Sequence, residues 1–202
     1  MPDDDNVIQF PGPRAAADPL APLLGALGFD PFALRQPALL DRRTERARFT
    51  VRIDLDGVRT PVWRRLQLAG DLHLDQLHDI LQIAMGWTDS HLHHFVMGPG
   101  PLDRSVAPFL TQFDVEEGEQ GMADADVRLD EVLANPGDRL YYEYDFGDGW
   151  DHLIRLESIE PWTAGAPLAT CLDGRRACPP EDVGGVPGYE EMLDMLAGHT
   201  AD

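Results

Sequence analysis

Apolar and polar residues alternate from Phe49 to Leu55, which is the period of a strand with one buried face. The dipeptide Asp56–Gly57 follows directly and predicts a type I′ hairpin turn. A return strand is expected from Val58 to Leu68. Because Pro61 has no amide hydrogen to donate, we expect an edge position or a bulge there.

The period then changes to that of a helix. Apolar residues recur at spacings of three and four from Leu74 to Met85. Asp71 or His73 can cap the start, and Gly86 stands where a left-handed residue commonly ends a helix. We therefore predict one amphipathic helix between these residues.

The rest of the chain adds shorter elements. They are predicted in this order: a strand at 94–97, an acidic solvated loop at 103–126, a brief helix at 127–133, two strands at 139–146 and 152–159, and a short helix from Pro187–Gly188 to Gly198. Strands paired by hairpins, with helices between them, predict an α+β fold. Its sheet is expected to be largely antiparallel and built from hairpins, with helices packed on one face.

The N-terminal residues differ in composition from the rest. Prolines interrupt any longer helix before residue 40, and the start of the chain is acidic. We expect residues 1–45 to form a Pro-rich acidic leader, largely flexible, with a possible short helix at Leu20–Leu27. That helix would dock on the domain or on a partner, and a mobile leader is the alternative. Residues 46–198 are predicted to form the α+β domain.

Charge limits the choice of partners. The chain of 202 residues has 16 basic and 36 acidic residues, a formal net charge of −20, and every basic residue is Arg. So negative a surface repels phosphate, and the densest basic run, at 42–48, is short. We therefore expect no direct nucleic-acid binding, and a protein or a small ligand as the partner.

Compartment is predicted from what the sequence lacks. No apolar stretch approaches the ~20 residues of a membrane span, and the first residues are acidic where a signal peptide is basic. Cys171 and Cys178 are too few for a disulfide-stapled secreted domain, and their separation is wider than in a typical zinc half-site. We expect a cytoplasmic protein without a membrane segment. No cofactor is required by the sequence, and the candidate cofactor is a divalent metal.

The segment YYEYDFGDGWDH gathers acids and an imidazole at a predicted hairpin tip. Its polar side chains are those of Asp145, Asp148, Asp151 and His152. Oxygen and nitrogen ligands in this arrangement could hold a divalent metal or position a water. A structural turn is the alternative, because the two glycines supply positive φ angles and the aromatic residues can pack across strands.

Two further stretches carry candidate chemistry. In SHLHHF, His91 and His93 would share one face of a strand and could bind a metal together, or be ordinary surface histidines. In CLDGRRACPPEDVGGVPGYEE we expect a buried loop in which Glu181 and Asp182 cap backbone amides or contribute to a groove. No activated-serine motif, phosphate-binding glycine loop or zincin helix is present, which disfavours the commonest enzyme classes.

Four segments carry a resemblance to a known family. They are FTVRIDLDGVRTPVWRRLQL, LDQLHDILQIAMGWTDSHLHHF, YEYDFGDGWDHLI and CLDGRRACPPEDVGGVPGYEEML. In this order they resemble the four successive blocks of the plasmid ORF-three-like proteins, a family named after an open reading frame on a root-inducing plasmid. It includes the TnpR-type passenger protein of an insertion sequence. The resemblance spans about Arg46 to Ala197.

The resemblance implies a compact α+β domain associated with plasmids and mobile elements. It does not imply recombinase chemistry, because this chain shows neither a basic surface nor a DNA-binding helix pair. Val186–Pro187 stands where an aromatic residue is expected, so one wall of a shared pocket is expected to differ. The family's signature polar positions fall on Trp63, Arg64, His78, Trp87, His91, Tyr144, Asp145, Asp148, Trp150, His152, Pro180, Glu181, Asp182 and Tyr189.

The first hypothesis for function is a non-enzymatic binding or adaptor domain. An acidic, aromatic-lined groove would form between the hairpin tip and the C-terminal loop. Arg64 and Arg65 would pair with its carboxylates in a structural ion network. The groove residues are Arg64, His91, Tyr144, Asp145, Asp148, Trp150, His152, Glu181, Asp182 and Tyr189.

The alternative is a divalent-metal-dependent hydrolase or nuclease-like enzyme. Its candidate metal ligands are Asp145, Asp148, His152 and Glu181. The ion would be Mg²⁺ or Mn²⁺, with His152 or His91 as general base. A third hypothesis, an acidic protein that competes with nucleic acid for a basic partner, rests on net charge alone.

Overall fold

The first strand illustrates how the sequence pattern becomes a layer. In β1, Ala47–Leu55, every second side chain is buried and the residues between them stay partly exposed. Because alternate side chains of a strand point to opposite faces, one face of β1 packs into the core. The structure is a computed structural model, and it describes residues 34–98, Gly100 and residues 105–198.

In the described residues, eight strands form a single sheet in the order β5-β4-β3-β6-β7-β1-β2-β8. Neighbouring strands are antiparallel, except that β4 and β5 are parallel. This confirms the predicted, largely antiparallel sheet. The other strands are β2 (Trp63–Ala69), β3 (His93–Val96), β4 (Phe109–Leu110), β5 (Met122–Ala123), β6 (Arg139–Tyr144), β7 (Trp150–Pro161) and β8 (Ala169–Arg175).

Four α-helices accompany the sheet in the described part of the chain, which confirms the α+β class. They are α1 (Leu74–Met85), α2 (Gln112–Glu116), α3 (Leu129–Val132) and α4 (Gly185–Leu196). His73 occupies the N-cap position of α1 without a side-chain cap bond, and its amide donates to Oε1 of Gln76 at 3.1 Å. As predicted, Gly86 follows the helix in the left-handed region, at φ 86°. Its buried leucines join the same apolar cluster as the buried side chains of β1.

Residues 34–45 run along the domain. The amide of Arg35 donates to the carbonyl of Ser105, and that of Leu40 donates to the carbonyl of Glu131 at 2.8 Å. Residues 1–33, with the predicted short helix and most of the predicted leader, lie outside the described residues. The boundary at residue 46 therefore stays a prediction.

The predicted type I′ turn at Asp56–Gly57 is wrong. A type I′ turn needs two residues with positive φ, and of this pair only Gly57 has one, at 77°. The amide of Leu55 bonds to the carbonyl of Val62, and β2 begins only at Trp63. The later start has a physical reason, because Pro61 cannot donate to the ladder.

Two predicted loops contain strands. Within the predicted acidic loop, β4 and β5 extend the sheet beyond β3, and Asp124 is buried. The stretch from Ala169 to Arg175 forms β8, an edge strand paired with β2. Both were missed because their residues do not alternate: β8 is exposed on both faces, so no buried side marks it in the sequence.

The helices bear on the predicted absence of a membrane segment. None of the helices in the described ranges combines the length and the apolar character that a bilayer crossing requires.

Candidate functional site

Three side chains that are distant in sequence converge at one edge of the domain. The Nε2 atom of His91 lies 3.5 Å from Oδ2 of Asp145 and 3.3 Å from Oδ1 of Asp182. The Nε2 atom is itself buried and makes no hydrogen bond, so both carboxylates are close without being hydrogen-bond acceptors. One ligand atom from each residue fits within 4.8 Å of the others. We call this set the His91 cluster.

Asp145 is oriented by its own turn. Its backbone is in the left-handed region at φ 57°, which Asp tolerates better than most residues. Its Oδ1 accepts hydrogen bonds from the amides of Gly147 at 3.0 Å and Asp148 at 3.2 Å. Because Oδ1 is held in this way, Oδ2 is turned towards His91. The hairpin tip is therefore built as a structural turn, which was one of the two predicted alternatives. It also leaves Oδ2 of Asp145 facing His91.

Asp182 belongs to a loop that rests on the same hairpin tip. Asp148 accepts a hydrogen bond of 3.1 Å from the amide of Gly184. A Cβ atom at Gly185 would lie 2.5 Å from the carbonyl oxygen of Asp148, so only glycine permits this approach. Asp182 has a φ of 58°, and its side chain is 79% exposed. The cluster is thus buried on the side of Asp145 and open on the side of Asp182.

Glu181 joins three segments of the chain. Its carboxylate accepts hydrogen bonds from the amide and hydroxyl of Thr88, from Ser90 Oγ at 3.1 Å and from the hydroxyl of Tyr144 at 2.5 Å. Burial opposes its ionisation, but the hydrogen bonds outweigh burial and lower its pKa to about 2. Glu181 therefore holds the loop before His91 against the loop that carries Asp182.

Aromatic rings form the inner wall of the site. Trp87 stacks on Tyr144 with ring centroids 4.9 Å apart, and its indole donates to the carbonyl of Pro179 at 2.9 Å. His91 meets the edge of Tyr144 at 5.9 Å. Burial and the hydrogen bond to Glu181 together raise the pKa of Tyr144 to about 12. Tyr144 is therefore a neutral hydrogen-bond donor at physiological pH.

His152 is placed deeper than the predicted groove. It is 1% exposed, its Nδ1 lies 3.3 Å from the carbonyl oxygen of Tyr142, and Trp87 contacts it edge-on. Burial lowers its pKa to about 4, against the opposing effect of its backbone hydrogen bonds. Trp150 is fully buried as well. Neither side chain belongs to the His91 cluster, so His152 is not grouped with Asp145 in the way that the predicted metal set requires.

The predicted pairing of Arg64 and Arg65 with the groove carboxylates is wrong. Arg64 donates to backbone carbonyls, including Ala84 at 2.8 Å and Arg176 at 3.0 Å. Arg65 pairs with Glu157 at 2.7 Å, through the other face of the sheet. Successive residues of a strand point to opposite faces, so the two arginines cannot serve one groove.

The remaining predicted residues support the C-terminal loop. Tyr189 is buried, and its hydroxyl donates to the carbonyl of Ala177 at 2.9 Å. Cys171 and Cys178 are both free thiols. Sγ of Cys178 lies 3.1 Å from the Arg64 guanidinium, next to α1. Tyr189 and Cys178 support the loop, Cys171 lies in β8, and none of the three belongs to the His91 cluster.

Some contacts were not foreseen from the sequence. His93 does not join His91, because it stacks on His78 with centroids 3.6 Å apart and bonds to the buried Asp124 at 3.0 Å. Thr88 and Ser90, the donors to Glu181, were not singled out as site residues. The local sequence offered one weak signal for them, because both hydroxyl residues stand within three positions before His91.

Comparison with known proteins settles the family. A family model described as plasmid pRiA4b ORF-3-like protein matches residues 47–202. The chain belongs to this family. The match confirms the resemblance of the four sequence blocks. It covers the whole His91 cluster, so the site is part of the family domain.

Two proteins are similar to this chain over most of its length. The uncharacterised protein y4hQ of Sinorhizobium fredii is 38% identical over 151 residues, which cover 73% of this chain and 72% of the relative. A crystal structure of MM3350 from Methanosarcina mazei Go1, described as a protein of unknown function, has a TM-score of 0.67 at 32% identity. That alignment covers 78% of this chain and 86% of the other. The likeness supports the fold, and function has to be inferred from the site.

Proposed function

We propose that this domain is a non-enzymatic binding module that holds one divalent transition-metal ion between His91, Asp145 and Asp182. The observation that carries the proposal is the spacing around Nε2 of His91. Metal–ligand bonds of about 2.0–2.1 Å in a tetrahedron place neighbouring ligand atoms about 3.3–3.4 Å apart. The two carboxylate oxygens lie at 3.3 and 3.5 Å from Nε2 without hydrogen-bonding to it.

The donor set indicates the kind of ion. Imidazole nitrogen suits Zn²⁺ and its neighbours in the transition series, whereas a site for Mg²⁺ or Ca²⁺ is built from oxygen alone. One imidazole and two carboxylates therefore favour Zn²⁺, and we expect Mn²⁺ to bind the same site more weakly. Two carboxylates balance the charge of a divalent ion.

The open side of the cluster gives the site its proposed role. Three protein ligands leave a fourth tetrahedral position, and the exposed side chain of Asp182 borders it. A donor atom from a small ligand or from a partner protein would complete the coordination. The ion would thus link the domain to its partner, which is the binding or adaptor function in physical terms.

The ligands are held before any ion arrives. Asp145 and Asp182 both occupy the left-handed region, which costs about 1 kcal/mol for a residue with a side chain. Such conformations persist where surrounding contacts enforce them, and they concentrate at functional sites. The hydrogen bonds of Asp148 and Glu181 supply that enforcement.

The hydrolase alternative lacks a free base. His152 is neutral at physiological pH because burial lowers its pKa to about 4. It is also 1% exposed, so neither solvent nor a substrate can reach its imidazole. Glu181 already accepts hydrogen bonds from three side chains. His91, the second base considered, would be a metal ligand with its lone pair committed. These contacts favour binding over hydrolysis.

The test is a calorimetric titration of Zn²⁺, Mn²⁺ and Mg²⁺ into metal-stripped protein. A Cys171→Ser background removes an exposed thiol that would bind zinc by itself. We expect one Zn²⁺ site that weakens at least about 100-fold in His91→Ala, since one of three ligands is lost. His94→Ala is the matched control, because His94 pairs with Glu143 at 3.2 Å outside the cluster.

The outcomes separate the hypotheses. Zinc binding that is equal in His91→Ala and in the parent protein would refute the site, as would absence of binding at millimolar Zn²⁺. The spectrum of the Co²⁺-loaded protein reports whether the coordination is tetrahedral. Metal-dependent cleavage of a simple phosphodiester that His91→Ala abolishes would favour the hydrolase instead.

A further inference from the structure

Four arginines stand side by side on the partly exposed face of the sheet. In the strand register Arg139 lies opposite Arg155, Arg155 opposite Arg52, and Arg52 opposite Arg65. We call this set the arginine row. Adjacent strands are about 4.8 Å apart, and like charges directly opposite one another destabilise a sheet. Although the chain as a whole has a net charge of −20, the four guanidinium groups repel one another, so the row needs nearby carboxylates to stabilise it.

The protein supplies counter-charges for only part of the row. Arg52 pairs with Asp54 through two nitrogens at 2.6 and 2.9 Å. Arg65 makes a two-pronged pair with Glu157 at 2.7 and 3.0 Å. Both carboxylates are therefore already engaged by a guanidinium.

Arg155 has no such partner. It forms no ion pair with any residue in the described ranges, and its Nε atom is buried without a hydrogen bond. A buried donor on a charged group is costly to leave unsatisfied. Glu157 is near enough to interact electrostatically with Arg155, but it gives this Nε atom no hydrogen bond. An acceptor supplied by a ligand would satisfy the atom.

A cleft of about 660 Å³ opens beside this guanidinium. Tyr141 and Leu153 lie opposite each other two residues along the same strands from Arg139 and Arg155, and both line the cleft. Tyr141 is largely buried, so Leu153 is the more accessible apolar side chain of the pair. The cleft thus offers the guanidinium of Arg155, which has no ion pair in the described residues, beside the apolar side chain of Leu153. Its lining includes Arg52, Asp54, Tyr141, Leu153, Arg155 and Glu157.

We propose that Arg155 binds the carboxylate of a small organic acid whose apolar part lies on Leu153. A guanidinium fork matches a planar carboxylate with two parallel hydrogen bonds. The neighbouring carboxylates of Asp54 and Glu157 disfavour a ligand with further negative charge, such as a phosphate dianion or a nucleic-acid backbone. This site shares no residue with the His91 cluster, so it is independent of the metal proposal.

The test uses the Nε–Hε signals of arginine in an ¹⁵N-labelled sample of the full chain. The chain has only 16 basic residues and all are Arg, so the spectrum is simple and Arg155→Gln assigns the signal of interest. Titration with benzoate should move the Arg155 signal to saturation, with a dissociation constant of about 1 mM for so small a ligand. Benzamide, its neutral analogue, should not.

Each further arm confirms or overturns the proposal. Arg155→Gln should abolish benzoate binding, whereas Arg175→Gln, which removes the same charge from an exposed strand, should retain it. Failure of the wild-type Arg155 signal to saturate overturns the proposal. Equal binding in Arg155→Gln does so too, and so does inorganic phosphate binding as tightly as benzoate.

A stability measurement guards against a structural explanation. Because Arg155 has no ion-pair partner in the described part of the protein, Arg155→Gln should melt at the wild-type temperature or above it. A melting temperature lowered by several degrees would show that Arg155 also stabilises the fold, and the decision would then rest on the wild-type titration. The wild-type titration remains decisive whichever way the variant behaves.

Discussion

The hydroxyl of Tyr144 donates a hydrogen bond of 2.5 Å to Glu181, 37 residues further along the chain. This contact fastens the β6–β7 hairpin to the loop before α4. The predicted groove required these two stretches to fold against each other, and they do. Because Asp145 and Asp182 directly follow these two residues, the same contact brings the carboxylates of the His91 cluster together.

A double-mutant cycle on Tyr144→Phe and Glu181→Gln measures this contact. Each single change should lower the free energy of unfolding by about 1–3 kcal/mol, since a charge-assisted hydrogen bond is lost. The coupling energy between them should be about 1 kcal/mol or more. Tyr189→Phe is the control, because its hydroxyl bonds to Ala177 and should be additive with Glu181→Gln. An additive result for Tyr144 would contradict the assigned role.

Gly185→Ala tests the seating of the loop on the hairpin tip. The new Cβ would lie 2.5 Å from the backbone oxygen of Asp148, at a φ of 68°. The expected loss is about 3 kcal/mol or more by urea denaturation, because strain and overlap act together. Gly86→Ala has a similar φ of 86° with no atom within 4 Å, so about 1 kcal/mol is expected there. Equal losses in the two variants would show that the approach to Asp148 is not tight.

Arg64→Lys tests the corrected role of Arg64. The guanidinium bonds at once to the last turn of α1 at Ala84 and to Arg176 in the C-terminal loop, which a single ammonium cannot reproduce. We expect a loss of about 2 kcal/mol in chemical denaturation. Arg59→Lys is the control and should cost clearly less than Arg64→Lys, because the Arg59 side chain that pairs with Glu190 and Asp194 is exposed to solvent. An unchanged free energy of unfolding in Arg64→Lys would show that these contacts do not stabilise the fold, and Arg64 would again be a candidate groove residue.

His152→Leu tests the buried imidazole through the pH dependence of stability. Burial lowers the folded pKa from 6.5 to about 4, so between these values the unfolded chain binds a proton that the folded chain does not. Stability contributed by neutral His152 is therefore present above pH 6.5 and falls as the pH drops towards 4, by up to about 3 kcal/mol. The variant should show a shallower loss over this window. Because His78, whose pKa is also lowered by burial, remains, some slope should persist. An unchanged slope would mean that His152 is not buried in its neutral form.

Local sequence determined the elements that have a one-sided environment. The strand at Ala47–Leu55 and the helix at Leu74–Met85 were predicted because each buries one face, and a buried face leaves a period of two or of three to four in the sequence. Gly86 ended the helix as expected, because a residue without a side chain adopts positive φ at little cost. The four blocks also determined the family, since the order and spacing of so many residues are specific.

Elements that are exposed on both faces could not be predicted in this way. The edge strand β8 has almost no buried side chains, and it is held by ladder hydrogen bonds to β2, which any residue except proline can make. The turn after Leu55 was mistaken because its length depends on where pairing resumes after Pro61.

Only the tertiary structure decided which side chains form the site. The sequence paired His91 with His93 and His152 with Asp145, because those residues are neighbours along a strand or a hairpin. In the fold, His93 turns into the core towards Asp124, while His91 faces two aspartates that come from separate loops. Partners of this kind are set by strand register, by the glycine contact at Gly185 and by the hydrogen bonds of Glu181. Each of these is a long-range contact, and the local sequence pattern of one segment does not indicate which distant segment it will contact.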